Sequence, residues 1–228
     1  MRRISPTAFR TMAEKTEYKT LAQFGTDSFV EQRSEFIGYA APCQTEAEAL
    51  AFLCDIRTKH ADARHCVYAY IVRENHTCRF SDDHEPQGTA GMPTLSILQH
   101  AEITDACIAV VRYFGGILLG TGGLTRAYTK AAQIAVAAAG IVRRRLCRRF
   151  WLIVGYSDYQ KLAPLLTRFE AVVQDTEFSE QVSLCGVLPS PLEQEFSAAL
   201  CDFSRGSARL SFGAEEYAAI AVTEDKTR

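Results

Sequence analysis

The sequence predicts an α+β protein built from two domains. Its 228 residues exceed the commonest domain size of about 100–150 residues, which favours two cores of moderate size. Strand and helix patterns alternate in the first half, whereas the second half contains one complete β-α-β-β-α-β order. We therefore predict a disordered extension at residues 1–15, an N-terminal domain at 16–145 and a C-terminal domain at 146–228.

The N-terminal elements follow from hydrophobic periodicity and capping residues. A strand is predicted at residues 36–41, followed by a helix whose N-cap is Thr45. Aromatic and β-branched residues predict a strand at 66–72 and its antiparallel partner at 77–80. A polar loop, a short helix, a central strand and an alanine-rich helix that ends at Gly140 come next, at residues 81–91, 94–100, 106–113 and 124–138.

The C-terminal half shows a split βαβ order. Strands are predicted at residues 151–156, 171–178, 181–188 and 208–212, and helices at 158–169 and 191–203. This order is typical of a ferredoxin-like fold.

Composition excludes several classes of protein. A formal net charge of -2 argues against a wholly basic nucleic-acid binder. The eight cysteines form no CxxC pair, which removes the usual zinc and redox motifs. No apolar run approaches the roughly 18–20 residues that a transmembrane helix needs. We expect a cytoplasmic protein with reduced cysteines, and we predict neither a cofactor nor a bound metal.

The segment at residues 112–126 contains five glycines and joins the central strand to the alanine-rich helix. Glycines allow backbone N–H groups to approach a partner closely, and a helix N-terminus adds unpaired donors and a positive dipole end. This predicts an anion-binding cradle without a known nucleotide motif. Its candidate residues are Arg112, Gly115, Gly116, Gly120, Thr121, Gly122, Gly123 and Arg126.

A polar loop of mixed chemistry precedes the cradle in the sequence. Its acidic residues suit a metal site or an acid–base pair, but adjacent carboxylates rarely converge on one ion and more often cap a helix. We interpret the loop as a flank of the cradle, formed by Asp82, Asp83, Glu85, Gly88 and Thr89. The two cradle arginines either bind a phosphate or pair with these carboxylates, and both alternatives remain open.

A basic cluster lies where the two domains are predicted to join. Five arginines occur within seven residues, more than a helix C-terminus needs to satisfy its dipole. A basic strip facing RNA phosphates is the functional interpretation. The cluster consists of Arg143, Arg144, Arg145, Arg148 and Arg149. Of the cysteine–histidine pairs, only His65 and Cys66 are adjacent, and neighbours in a strand point to opposite faces, so no catalytic residue is assigned.

Four stretches of the sequence resemble the IMPACT/YigZ family. They are SEFIGYA from Ser34, RHCVYAYIV from Arg64, DDHEPQGTAGMP from Asp82, and VVRYFGGILLGTGGLTRAY from Val110. The resemblance covers about residues 17–220. It implies an N-terminal domain like domain 2 of ribosomal protein S five, and a C-terminal domain like the ferredoxin-like domain V of elongation factor G. The family usually has Lys where this sequence has Leu118.

The resemblance implies a role near the ribosome. Eukaryotic IMPACT proteins regulate translation by competing for the activator of a stress kinase, and they use an added RWD domain to do so. This sequence lacks that domain, so we do not expect it to bind such an activator. Our first hypothesis is a non-enzymatic RNA- or ribosome-binding regulator. The alternatives are an enzyme acting on a small phosphate-containing ligand, related in fold to GHMP kinases, and a protein-interaction module in the ferredoxin-like half.

Overall fold

A computed structural model describes residues 17–219 of the chain. The chain divides into two compact units, Met1–Val142 and Arg143–Arg228. Within the described range, every helix is too short or too polar to span a lipid bilayer. The predicted extension at residues 1–15 lies outside the described residues.

The N-terminal unit is built on a five-stranded antiparallel sheet in the order β2-β3-β6-β4-β5. A further short strand, β1, lies beside the loop that precedes β6, because the Lys19 carbonyl accepts the Thr104 N–H at 2.9 Å. The strands are β1 (Glu17–Leu21), β2 (Gly25–Glu31), β3 (Ser34–Pro42), β4 (His65–Val72), β5 (Thr77–Ser81) and β6 (Ala106–Tyr113).

Helices cover both faces of this sheet. Helix α1 (Glu46–Lys59) packs on the face that carries Cys107 and Val111 of β6. The opposite face, which carries Val110, packs against α2 (Gly91–His100) and α3 (Gly120–Ala139). Burial on both faces explains why the sequence of β6 is apolar at nearly every position.

The predicted N-cap of α1 and the predicted end of the alanine-rich helix α3 are confirmed. The Thr45 hydroxyl accepts the Glu48 N–H at 3.1 Å at the start of α1. Helix α3 lies so close to the sheet that a β-carbon on Gly38 would stand 2.3 Å from the carbonyl oxygen of Ala131. Alanine on the helix and glycine on the strand permit this approach, and α3 ends at Gly140 with φ 70°.

The C-terminal unit has the predicted β-α-β-β-α-β order. Its four strands form an antiparallel sheet in the order β10-β7-β9-β8, with Leu162 and Phe196 of its two helices in the core. β7 begins at Ile141 rather than at the predicted residue 151. The elements are β7 (Ile141–Val154), α4 (Tyr156–Arg168), β8 (Val172–Phe178), β9 (Val182–Pro189), α5 (Glu193–Ser204) and β10 (Arg209–Ala219).

Strands β1 and β2 were not predicted from the sequence. Most side chains of β2 are exposed, so the strand lacks a buried apolar set. The hairpin from β2 to β3 turns at Gln32 and Arg33, with φ 45° and 63°. Turns with two positive φ values usually contain Asn or Gly, and this one contains neither.

Candidate functional site

The glycine-rich segment connects the end of β6 to the first turn of α3. Gly116 and Gly120 have φ of 85° and 69°, values that side-chain-bearing residues rarely adopt. Because α3 begins at Gly120, Gly122 and Gly123 lie inside the helix rather than in the preceding loop. The cradle therefore consists of a short loop and one helical turn.

Gly115 fixes this loop to the β2–β3 hairpin. Its N–H donates to the hydroxyl of the buried Ser34 at 3.1 Å. A β-carbon on Gly115 would stand 1.9 Å from the carbonyl carbon of Arg33. A glycine is required here for close approach of two backbones, and its N–H is already bonded within the protein.

The first turn of α3 is open to solvent. Leu119 at the N-cap position provides no side-chain hydrogen bond, and Thr121 and Gly122 are exposed. Arg126 is also exposed and makes no hydrogen bond or ion pair with the described residues. Its Nη1 lies 3.6 Å from the position a β-carbon on Gly122 would take, so the guanidinium lies beside the turn.

The loop before α2 uses its first carboxylate as a helix cap. Asp82 accepts the N–H groups of Gly88 at 3.0 Å, Ala90 at 3.0 Å and Gly91 at 2.8 Å. The Thr89 hydroxyl donates to the Pro86 carbonyl at 2.7 Å. These groups stabilise the loop and the start of α2, which agrees with the capping interpretation.

The second carboxylate connects the loop to β4 and α1. Asp83 accepts the Cys66 N–H at 2.7 Å and pairs with Arg57 at 3.2 Å. The Asp83 carbonyl accepts a hydrogen bond from His65 Nδ1 at 2.9 Å. Among residues 17–219, no three His, Cys, Asp or Glu side chains are grouped as metal ligands.

The third carboxylate, Glu85, lies in a buried polar cluster. It accepts hydrogen bonds from Arg112 Nη1 at 2.6 Å and from the Tyr128 hydroxyl at 2.8 Å. His65 Nε2 lies 3.9 Å from the same oxygen. The exposed fractions of the Arg112 and Glu85 side chains are only 6% and 3%. Burial and the neighbouring Glu85 carboxylate raise the pKa of Tyr128, so the phenol remains a donor.

The two arginines of the cradle therefore differ. Arg112 pairs with Glu85 of the polar loop at residues 81–91 (hereafter the acidic loop), one of the two alternatives that the sequence left open, and its Nη1 donor is not available to RNA. Arg126 has no carboxylate partner among the described residues, which leaves it available for the other alternative, the binding of a phosphate. Of the pair, only Arg126 is placed to meet a large anion.

The arginine cluster does not form the single basic strip that the sequence suggested. It lies along β7, whose successive side chains point to opposite faces of the sheet. Arg148 pairs with Glu193 at 2.8 Å, and Arg149 with Glu216 at 2.8 Å. Arg145 pairs with Glu170, and Arg144 Nη1 donates to the Tyr217 carbonyl at 3.4 Å; Arg143 lies on the same strand. Strand alternation and glutamate partners thus divide the positive charge.

The adjacent pair His65 and Cys66 points to opposite faces, as predicted. His65 lies near Glu85, whereas Cys66 packs in the core beneath α1. Burial raises the pKa of the Cys66 thiol and raises that of Cys43 to about 12. Neither thiol forms an appreciable fraction of thiolate at neutral pH, so neither is an activated nucleophile.

Sequence reasoning missed two members of the buried cluster. The sequence places Tyr128 only within the predicted helix at residues 124–138, and it offers His65 only as the neighbour of Cys66. His65 and Arg112 are direct cross-strand partners on β4 and β6. The one signal available is a polar residue near one terminus of each strand, His65 at the start of β4 and Arg112 next to the end of β6, and it becomes informative only when their register is known.

Each of the two units matches a known protein family. Residues 32–136 match the model of the Impact N-terminal domain, and residues 152–207 match a domain of unknown function, DUF1949. IMPACT family member YvyE of Bacillus subtilis is 33% identical over 210 residues, which cover 92% of this chain and 97% of that protein. IMPACT family member YigZ of Escherichia coli is 36% identical, over 78% of this chain and 89% of its own.

A solved structure is similar over both units. The crystal structure of a hypothetical protein has 34% sequence identity and a TM-score of 0.56, and the match covers 88% of this chain and 98% of that one. The two matched family models cover the polar loop, the glycine-rich segment and residues 152–207 of the C-terminal unit. The chain belongs to the IMPACT family.

Proposed function

We propose that this protein binds RNA, free or within the ribosome, and regulates translation in the cytoplasm by binding rather than by catalysis. The observation that carries the proposal is the exposed, uncapped first turn of α3 with the unpaired Arg126 beside it. Phosphate oxygens are suitable partners for such N–H groups and for a guanidinium.

Helix α3 extends this surface beyond its first turn. Gly122, Arg126 and Lys130 are spaced four residues apart and therefore lie along one side of the helix. The two basic residues are exposed, and Lys130 Nζ lies 4.2 Å from the ring centroid of Phe29. Phosphates spaced along an RNA strand would be met by backbone N–H groups first and by these cations next.

The loop before the helix adds apolar surface. Phe114 and Leu118 are exposed over 47% and 83% of their area. Exposed aromatic rings near positive charge are a common means of stacking unpaired RNA bases. We assign binding to the cradle and α3, and we give Arg145, Arg148 and Arg149 no direct part, because glutamates pair with them.

Filter binding to ribosomal RNA and co-sedimentation with ribosomes, each at two salt concentrations, test the proposal. The double variant Arg126→Ala, Lys130→Ala should reduce the slope of log affinity against log salt by about 2 units. Lys161→Ala is the matched control, since it removes an exposed cation from α4 in the other unit. Absence of binding by the unmodified protein at low salt would reject the proposal.

A further inference from the structure

The buried guanidinium of Arg112 has one partnered edge and one open edge. Nη1 donates to Glu85, whereas the buried Nε has no hydrogen-bond partner. Nη2 makes no hydrogen bond to any residue in the described range. Nε–H and one Nη2–H project in parallel from the same edge, and this geometry matches two oxygens of a carboxylate or phosphate.

We propose that this open edge binds the oxyanion group of a small molecule, a carboxylate or a phosphate, at a site that borders the RNA-binding surface at Phe114 but does not include Arg126 or Lys130. The exposed fraction of the Arg112 side chain is only 6%, which excludes the continuous backbone of a polymer. A compact terminal group is the size of ligand that can reach a guanidinium so enclosed.

Surrounding side chains fix the guanidinium for such a role. Glu85 holds Nη1, and Tyr128 bonds the same carboxylate oxygen from α3. The guanidinium carbon lies 5.5 Å from the ring centroid of Phe36 and 5.4 Å from that of Phe114. A cation positioned by a carboxylate and by the buried Phe36 ring loses little freedom when it binds an anion.

Phe114 provides the route of access. Phe36 is fully buried, whereas Phe114 is 47% exposed and belongs to the segment that leads into the cradle. In this proposal the Phe114 side chain, which lies just beyond the end of β6, turns aside to admit the anion. The proposed site therefore has the Nε–Nη2 edge of Arg112 at its base and the half-exposed Phe114 ring beside it.

The test follows the arginine Nε–H signals of the unmodified protein by ¹H–¹⁵N NMR during titration with inorganic phosphate, and separately with acetate. Sodium chloride at matched ionic strength is the control. A saturable shift of the Arg112 signal with phosphate alone identifies a phosphorylated ligand class, and a shift with acetate alone identifies a carboxylate. An Arg112 signal that ignores both anions, or responds equally to chloride, overturns the proposal.

Variants separate this site from RNA binding. Arg112→Lys keeps the charge beside Glu85 but removes the two parallel N–H donors of the guanidinium. The affinity for the anion that shifts the Arg112 signal should therefore fall by about tenfold or more. Arg126→Ala should weaken RNA binding and leave the Arg112 signal responsive. An Arg112→Lys variant that binds the anion as tightly as the unmodified protein contradicts the site.

A second variant keeps the test decisive if Arg112→Lys does not fold. Phe114→Ala removes a half-exposed ring and leaves Arg112, Glu85 and Tyr128 unchanged. We expect this variant to bind the anion at least as tightly, with faster exchange. An Arg112 signal that remains insensitive after the ring is removed would show that the Nε–Nη2 edge of Arg112 is not a binding site.

Discussion

Helices α2 and α3 pack on the same face of the N-terminal sheet but begin in opposite ways. The polar loop at residues 81–91 supplies the anion for α2, because Asp82 accepts the N–H groups of Ala90 and Gly91 at the start of the helix and that of Gly88 just before it. The glycine-rich segment supplies no side-chain cap to α3. A helix N-terminus therefore predicts an anion site only where the chain does not provide its own carboxylate.

The two arginines of the cradle repeat this difference. Arg112, near the end of β6, is buried against Glu85, whereas Arg126, in the second turn of α3, is exposed. Arg112 lies within reach of a carboxylate of the acidic loop and is paired, whereas Arg126 does not and remains exposed. The acidic loop stabilises the fold around the cradle, and the glycine-rich segment is the part left open. Four substitutions test this division of roles.

The largest effect is expected from Glu85→Gln. Removing this charge leaves Arg112 buried without a counterion, which should lower the free energy of unfolding by about 3–5 kcal/mol. Glu102→Gln is the matched control, since it breaks the exposed pair with Lys19 and should cost less than about 1 kcal/mol. Urea unfolding measures both variants. Equal losses of unfolding free energy would show that the buried ion pair stabilises the protein no more than the exposed one.

Gly115→Ala should rank second. The added methyl group meets the backbone of Arg33, and overpacking of this kind costs about 2–3 kcal/mol. Gly155→Ala, where a β-carbon meets open space, should stay within about 0.5 kcal/mol of the unmodified protein. A Gly115→Ala protein with unchanged thermal stability would show that the loop is not fixed to the hairpin.

Asp82→Ala tests the cap of α2. Losing a carboxylate that accepts three N–H groups should cost about 1–2 kcal/mol in chemical unfolding. Asp27→Ala provides the comparison, because the exposed Asp27 accepts only the N–H of its neighbour Ser28. RNA binding by Asp82→Ala should be unchanged under conditions in which the protein is folded. A loss of RNA binding there would contradict the separation of the two loops.

The smallest effect on stability, and an informative one for binding, is expected from Gly122→Asp. A carboxylate in the first turn of α3 should raise the unfolding free energy by about 0.5 kcal/mol. The same charge should repel phosphate and weaken RNA binding. Gly122→Ala gives a similar gain in stability without the charge, so it should bind RNA more tightly than Gly122→Asp. Equal binding by the two variants would remove α3 from the proposed surface.

Much of the fold was predictable because it rests on local patterns. Thr45 capped α1 as expected, the range of β6 matched its prediction, and Gly140 ended α3. The strand order of the C-terminal unit followed from its β-α-β-β-α-β sequence. The hairpin at Gln32 and Arg33 was missed because positive φ there depends on strand pairing rather than on the usual turn residues.

The candidate site was predictable only as a set of residues. Glycine content identified the cradle, but the sequence left Arg112 and Arg126 equivalent. The five arginines of β7 were interpreted as one strip, although a strand sends neighbouring side chains to opposite faces, where glutamates from other elements pair with several of them. A run of charged residues in a sequence does not show which side chains of opposite charge will pair with it in the folded protein.

The sequence by itself determined the order of elements, the acidic and glycine-rich segments, and the likeness to one family, since each depends on residues close together in the chain. Tertiary structure alone decided that Glu85 neutralises Arg112, that His65 faces the same carboxylate, and that Arg126 stays exposed. The physical reason is that ion pairing needs atoms within a few ångströms. Only the register of the strands and the packing of α3 bring residues so distant in sequence to that separation.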